Sequence, residues 1–145
     1  GSKTNVIPSL AEVDIDGRVL PGTTTEEFLA ELQAVLGPEF ELEVTNAWNP
    51  MVTSPRESSF LDCIHAVMAD REPDAPLVPY LMPGFTDATA FTSIGARWYG
   101  FAPVKLPKGM KFADMFHGHN ERIPVDGLRW GTETLTDLLV RFAGV

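Results

Sequence analysis

The sequence is short of cysteine, of basic residues and of long apolar runs. Its one cysteine, Cys63, can form no disulfide within the chain, which favours a reducing, cytoplasmic location. Lys and Arg number 11 against 20 Asp and Glu, for a net charge of -9. Nucleic acid is therefore not an expected partner, because phosphate contacts need a basic surface. No apolar run approaches the roughly 20 residues of a membrane span and no signal peptide is recognisable, so no membrane partner is expected either.

The rest of the composition is that of a globular protein. Hydrophobic residues make up 44% of the 145 residues and charged residues 21%, which are ordinary values for a folded domain. This length suits one domain or two small ones. Residues 1–3 are expected to be a tag remnant and the start of the chain.

The first third of the sequence predicts a strand, a helix and a second strand. Residues 6–16 alternate apolar and acidic side chains, which indicates a half-buried strand. Thr24 and Glu27 have the spacing of a helix capping box, and Gly37 followed by proline is typical of a helix end. Residues 40–45 alternate again, so this part predicts a small α+β layer.

The remainder predicts half of a three-layer α/β sandwich. Ser54 is expected to cap a second helix, because proline follows it and a glutamate lies three residues on. Strands are predicted at 77–82 and 96–101, with a short helix at about 87–93 between them, and a last helix from about residue 126. Residues 49–55 have turn chemistry and are the predicted linker. The overall fold class is therefore α/β.

One short stretch concentrates polar side chains between apolar ones. His117, His119, Asn120, Glu121 and Arg122 fall within six residues. A neutral imidazole is the commonest protein ligand for zinc, and a nearby carboxylate can fix its tautomer. The stretch therefore indicates a metal or substrate site. The alternative is an ordinary loop with two histidines in it.

Four motifs in order carry a family resemblance: NVIP at 5–8, DGRVLPG at 16–22, GFTDA at 84–88 and HGHNER at 117–122. Together they resemble the zinc-dependent family of aminoacylase, carboxypeptidase G and succinyl-diaminopimelate desuccinylase. Members have a catalytic α/β domain with an inserted lid domain that mediates dimerisation. The resemblance implies that residues 4–48 are a partial lid and that residues 56–145 are the C-terminal part of the catalytic domain. A homodimer is expected.

The resemblance also implies roles for particular residues. His117 is expected to bind a metal. Asn120 and Glu121 are expected to shape the loop around the metal, with Glu121 contacting the ligand and not the metal itself. No role follows for His119. The residues expected to contact substrate are Asn5 and Arg18, which would grip its carboxylate, and Gly84, Thr86 and Asp87, which would line its pocket. Two alternatives stay open: Thr86 and Asp87 as a helix cap, and Arg18 as a surface residue paired with Asp14 or Asp16.

The family's other metal ligands and its general base are missing from this sequence. Family members bind two zinc ions through about five ligands, including a His-x-Asp motif that is absent here. Complete enzymes use metal-activated water to cleave N-acyl amino acids or small peptides. We therefore expect a C-terminal fragment of such an enzyme, inactive by itself, with no catalytic residue of its own and weak or absent zinc binding. The alternative is a non-catalytic binding or dimerisation module that retains the family's shape.

Overall fold

A computed structural model describes residues 3–47, 53–82 and 84–144 and divides the chain into two units, Gly1–Thr53 (unit 1) and Ser54–Val145 (unit 2). Residues 1–2 and residues 49–52 of the predicted linker lie outside the described residues. The predicted domain assignments stay predictions. The helices are α1 (Thr25–Leu36), α2 (Ser59–Arg71), α3 (Ala88–Thr92), a 3-10 helix (Phe112–Met115) and α4 (Val125–Ala143). In the described part of the chain, no helix is long and apolar enough to cross a membrane.

Helix α1 forms where its terminal residues predict. The Thr24 side chain accepts a hydrogen bond from the Glu27 amide at 3.1 Å, and the Glu27 carboxylate accepts one from the Thr24 amide at 2.9 Å. The predicted capping box is therefore confirmed, and it satisfies two backbone N–H groups that the first turn leaves free. Gly37 ends the helix at a φ of 99°, a conformation that glycine adopts without steric cost. The Gln33 side-chain amide then donates to the carbonyl oxygens of Gly37 and Phe40, at 2.6 and 3.1 Å.

The predicted strands are not confirmed. Residues 6–16, 40–45, 77–82 and 96–101 lie outside regular secondary structure, and the described ranges contain no β-strand. Alternation determines which side chains share a face, but a strand forms only when a neighbouring strand accepts its backbone hydrogen bonds. Apolar side chains of the first segment are correspondingly open to solvent: Ile7 is 94% exposed and Val13 83%. The observed secondary structure is helical, and the α/β class is not confirmed.

The core of unit 2 lies between α2 and α4. Ile64 and Val67 of α2 and Leu138 of α4 are almost fully buried. Around them pack partly buried apolar residues from α2 and from the segments between the helices: Phe60, Leu61, Cys63, Met68, Leu77, Tyr99 and Phe101. Burial of these side chains is the main term that holds the two helices together.

The start of α2 differs from the prediction. Ser58, not Ser54, is the N-cap, and its hydroxyl accepts a hydrogen bond from the Leu61 amide at 3.1 Å. The Tyr99 hydroxyl lies 2.7 Å from the same oxygen. Ser54 instead donates its hydroxyl to the carbonyl oxygen of Trp98. Both serines have a plausible local sequence, and contacts with residues more than 40 positions away decide between them.

Two glycines of α4 allow a very close approach of the backbone. A Cβ on Gly131 would lie 1.9 Å from the Pro103 carbonyl oxygen, and one on Gly127 would lie 2.3 Å from that of Lys105. Such distances are far inside van der Waals contact, so only glycine fits at these positions. The segment 103–105 is thereby seated against the helix. The 3-10 helix Phe112–Met115 then separates this segment from the residues that contain His117.

Ion pairs join the polar sides of α2 and α4. Arg141 lies 2.7 Å from both Asp70 and Asp137, and Arg71 lies 3.3 Å from Asp137. The hydrogen bond from Arg141, reinforced by that from Arg71, holds the pKa of Asp137 below its usual value, although burial acts in the opposite direction. The network adds polar contacts between α2 and α4 to the buried core that holds the two helices together.

Candidate functional site

Residues 116–122, the His117 loop, follow the 3-10 helix and fold back on its end. The Arg122 amide donates to the Met115 carbonyl oxygen at 3.3 Å, which closes the loop. His117 and Asn120 have φ angles of 57° and 68°. Left-handed conformations are uncommon for residues other than glycine, and they occur often at functional sites.

Two side chains hold this turn through its backbone. The Glu121 carboxylate accepts a hydrogen bond from the Gly118 amide at 3.2 Å, and the Arg122 guanidinium donates to the Asn120 carbonyl oxygen at 3.0 Å. Glu121 therefore acts on the residue next to His117 and not on the imidazole. Each bond offsets part of the cost of a left-handed residue.

The His117 side chain is supported on one side by aromatic rings and is exposed to solvent. Its ring meets that of Phe116 edge-on, with centroids 5.2 Å apart, and Phe116 lies 5.1 Å from Phe112. The described residues hydrogen-bond neither of its ring nitrogens. His119 is also exposed, and the structure gives no reason to prefer it as a ligand.

The described residues do not make a zinc centre by themselves. Among the side chains that the structure describes, no three His, Cys, Asp or Glu residues come together to hold a metal ion. A catalytic zinc site ordinarily uses three protein ligands. An exposed imidazole on a supported turn fits one coordination position, and the chain would need further ligands from elsewhere to complete the set.

The predicted pocket residues lie at the start of α3. The Thr86 hydroxyl accepts a hydrogen bond from the Ala88 amide at 3.4 Å, while Asp87 occupies the N-cap position without a side-chain capping bond. Gly84, Thr86 and Asp87 are all exposed. Thr86 therefore makes part of the predicted helix cap, whereas the Asp87 carboxylate makes no capping bond.

In unit 1, Arg18 is paired with Asp16. Nε and Nη2 of Arg18 donate to the two carboxylate oxygens of Asp16 at 2.8 and 2.6 Å. This hydrogen bonding lowers the pKa of Asp16 and raises that of Arg18. Asn5, the other residue predicted to grip substrate, is exposed in the same unit. Of the two acidic residues given as alternative partners of Arg18, Asp16 is the one that binds it. In an extended segment, residues two apart lie on the same face.

Comparison with known proteins agrees with the motifs. Residues 1–43 match the model of the peptidase dimerisation domain. The chain is 32% identical over 144 residues to an N-fatty-acyl-amino acid synthase/hydrolase of Xenopus tropicalis, covering 98% of this chain and 26% of the relative. This chain belongs to the M20 peptidase family. The family resemblance found in the motifs is thereby confirmed.

Other relatives have related names. Human aminoacylase-1 is 28% identical over 150 residues, which is 100% of this chain and 35% of that protein. Probable carboxypeptidase S-like 2 of Dictyostelium discoideum is 24% identical over 127 residues, which is 86% of this chain and 24% of that protein. The chain spans about a quarter of the length of the first curated relatives that it matches. No solved structure matches it significantly.

Proposed function

We propose that this chain is the C-terminal part of an M20 family amidohydrolase that cleaves N-acyl amino acids or small peptides with metal-activated water. The observation that carries the proposal is the match along 98% of the chain to a relative named an N-fatty-acyl-amino acid synthase/hydrolase. The relatives named aminoacylase and carboxypeptidase S-like point to the same bond, an amide next to a carboxylate. We also propose a cytoplasmic location, in line with the presence of one cysteine among these 145 residues.

The described residues support a division of roles. His117 would provide one zinc ligand, because its exposed imidazole stands on a turn that other side chains hold in place. Arg18 and Asn5 would bind the substrate's carboxylate, and Gly84, Thr86 and Asp87 would line its pocket. The remaining ligands of two zinc ions and the general base would come from parts of the protein outside this chain. Zinc, when bound, would supply the activated water.

The four segments that were predicted as strands but lie outside regular secondary structure support an α/β architecture in the whole protein. Exposed apolar residues are common in these segments, with Leu10 69% exposed and Tyr80 70%. An exposed face of this kind is stabilised when further strands cover or extend it. We propose that residues 6–16, 40–45, 77–82 and 96–101 become strands when the rest of the lid and catalytic sheets is present.

The match of residues 1–43 to the peptidase dimerisation domain supports a homodimer formed through unit 1. Light scattering on the full-length protein would measure its mass directly. A mass twice that of one chain is expected. A monomer at high concentration would contradict the assembly proposal without affecting the proposed hydrolysis.

The experiment for the activity compares His117→Ala with His119→Ala in the full-length protein. Both variants remove one exposed imidazole from the same loop, so they are matched in charge and size. We expect wild type to hydrolyse N-acetyl amino acids in a zinc-dependent way, His117→Ala to lose zinc affinity and activity, and His119→Ala to retain most of both. Full activity of His117→Ala, or no hydrolysis by wild type loaded with zinc, would refute the proposal.

A further inference from the structure

The pairing of Arg18 with Asp16 uses only one edge of the guanidinium group. An arginine carries five N–H donors in a planar fork. Asp16 accepts from Nε at 2.8 Å and from Nη2 at 2.6 Å. No other described residue accepts a hydrogen bond from Arg18, so both N–H groups of Nη1 and the second one of Nη2 remain for another partner. The Nη1–Nη2 edge has the bidentate geometry that fits a carboxylate.

The position of Asp16 is itself anchored. Gly17 separates Asp16 from Arg18 and lies against the ring of Phe28 in α1, where a Cβ would come within 2.5 Å of the ring. The backbone between the two charged residues therefore packs on the Phe28 side chain of α1. A carboxylate on an anchored backbone can fix both the plane and the direction of the guanidinium that it binds.

Stability of the fold does not explain this pair. The side chains of Arg18 and Asp16 are 50% and 70% exposed, and ion pairs at such exposure contribute little to the free energy of unfolding. The nearby Asp14 is exposed as well. Its carboxylate makes no hydrogen bond with the described residues, so acidic charge in this segment does not by itself imply a contact with Arg18.

We propose that Asp16 is a positioning residue, which holds the Nε–Nη2 edge of Arg18 so that its Nη1–Nη2 edge faces the substrate's carboxylate. This inference rests on the proposed function. With Asp16 in place, Arg18 is fixed before substrate binds, so less conformational freedom is lost on binding. Asp16 partly neutralises the charge of Arg18. The site would therefore select a ligand by the planar, two-oxygen geometry of its carboxylate more than by its negative charge.

The test uses the full-length protein with an N-acetyl amino acid and with the corresponding C-terminal amide, which lacks the carboxylate. Asp16→Ala is compared with Asp14→Ala, which removes the same charge two residues away. We expect Asp16→Ala to raise KM for the carboxylate substrate about tenfold, as loss of a charge-assisted hydrogen-bond geometry would, with kcat nearly unchanged. KM for the amide should not change, Asp14→Ala should behave as wild type, and Asp16→Glu should recover part of the loss.

These outcomes distinguish the inference about Asp16 from the proposed role of Arg18 in substrate binding, on which it rests. If Arg18→Gln raises KM for the carboxylate substrate but Asp16→Ala equals Asp14→Ala, Asp16 does not position Arg18 and the inference is wrong. A fall in KM for Asp16→Ala would also overturn it, since Asp16 would then compete with substrate. If Arg18→Gln leaves KM unchanged, the assignment of Arg18 to substrate binding fails first. Equal melting temperatures of the Asp16→Ala and Asp14→Ala variants would show that stability is not the cause.

Discussion

Replacing Gly131 by alanine tests the closest packing contact in unit 2. The added Cβ would lie 1.9 Å from the Pro103 carbonyl oxygen, where 3.4 Å is the start of ordinary contact. Helix α4 and segment 103–105 would therefore have to separate by about 1.5 Å. The oxygen belongs to the backbone, so no side-chain rotation relieves the overlap.

The magnitude follows from two opposing terms. Overpacking a well-packed contact costs about 3 kcal/mol at the upper end of its usual range, and alanine regains about 1 kcal/mol over glycine in a helix interior. A net loss of about 2 kcal/mol is expected. For a unit of this size, that corresponds to a fall of roughly 10 °C in melting temperature.

Far-ultraviolet circular dichroism during thermal and urea unfolding measures this loss, because most of the helix lies in unit 2. Gly100→Ala is the matched control: a Cβ there meets nothing within 4 Å, and its φ is not in the left-handed region. It should unfold within about 0.5 kcal/mol of wild type. If Gly131→Ala is as stable as Gly100→Ala, segment 103–105 does not pack on α4 as described.

Three further predictions concern the α2 cap, pH and the His117 loop. Ser58→Ala removes the N-cap of α2 and should cost about 1 kcal/mol in urea unfolding; no loss would contradict the revised helix start. The pKa of Asp137 is lowered from 3.8, chiefly by Arg141, so its stabilising contribution is complete above that value and is lost as pH falls below it. Acid unfolding of an Asp137→Asn variant should therefore show a weaker pH dependence, and an unchanged profile would count against the network. Glu121→Ala should increase hydrogen exchange at the Gly118 amide while Glu121→Gln preserves protection, and equal exchange rates in both would exclude the hydrogen bond.

Helix α1 and the polar loop could be predicted because their signals are local. The capping box at Thr24 joins residues three positions apart, and the helix end at Gly37 needs only its own φ angle and its bond to Gln33. Such short-range hydrogen bonds depend only on residues that are a few positions apart in the sequence. The same holds for the left-handed turn at His117, whose supporting bonds come from residues 118 to 122.

The predicted strands are not confirmed, because alternation alone does not identify a partner strand. Residues 6–16 and 40–45 have the right periodicity, but the described residues supply no partner strand for them. Periodicity reports which face of a segment is apolar, while strand formation depends on a second segment that the pattern does not identify. The family motifs, in contrast, were sufficient to predict the M20 relationship.

The sequence by itself determined both ends of α1, the cluster of polar residues around His117 and the family. The tertiary structure decided which serine caps α2, through a Tyr99 contact 41 residues away, and which residues of α4 must be glycine, through carbonyl oxygens more than 20 residues earlier in the chain. Contacts between distant residues depend on how whole segments pack, and that packing is set by the sum of many burial and hydrogen-bond terms that no local pattern contains.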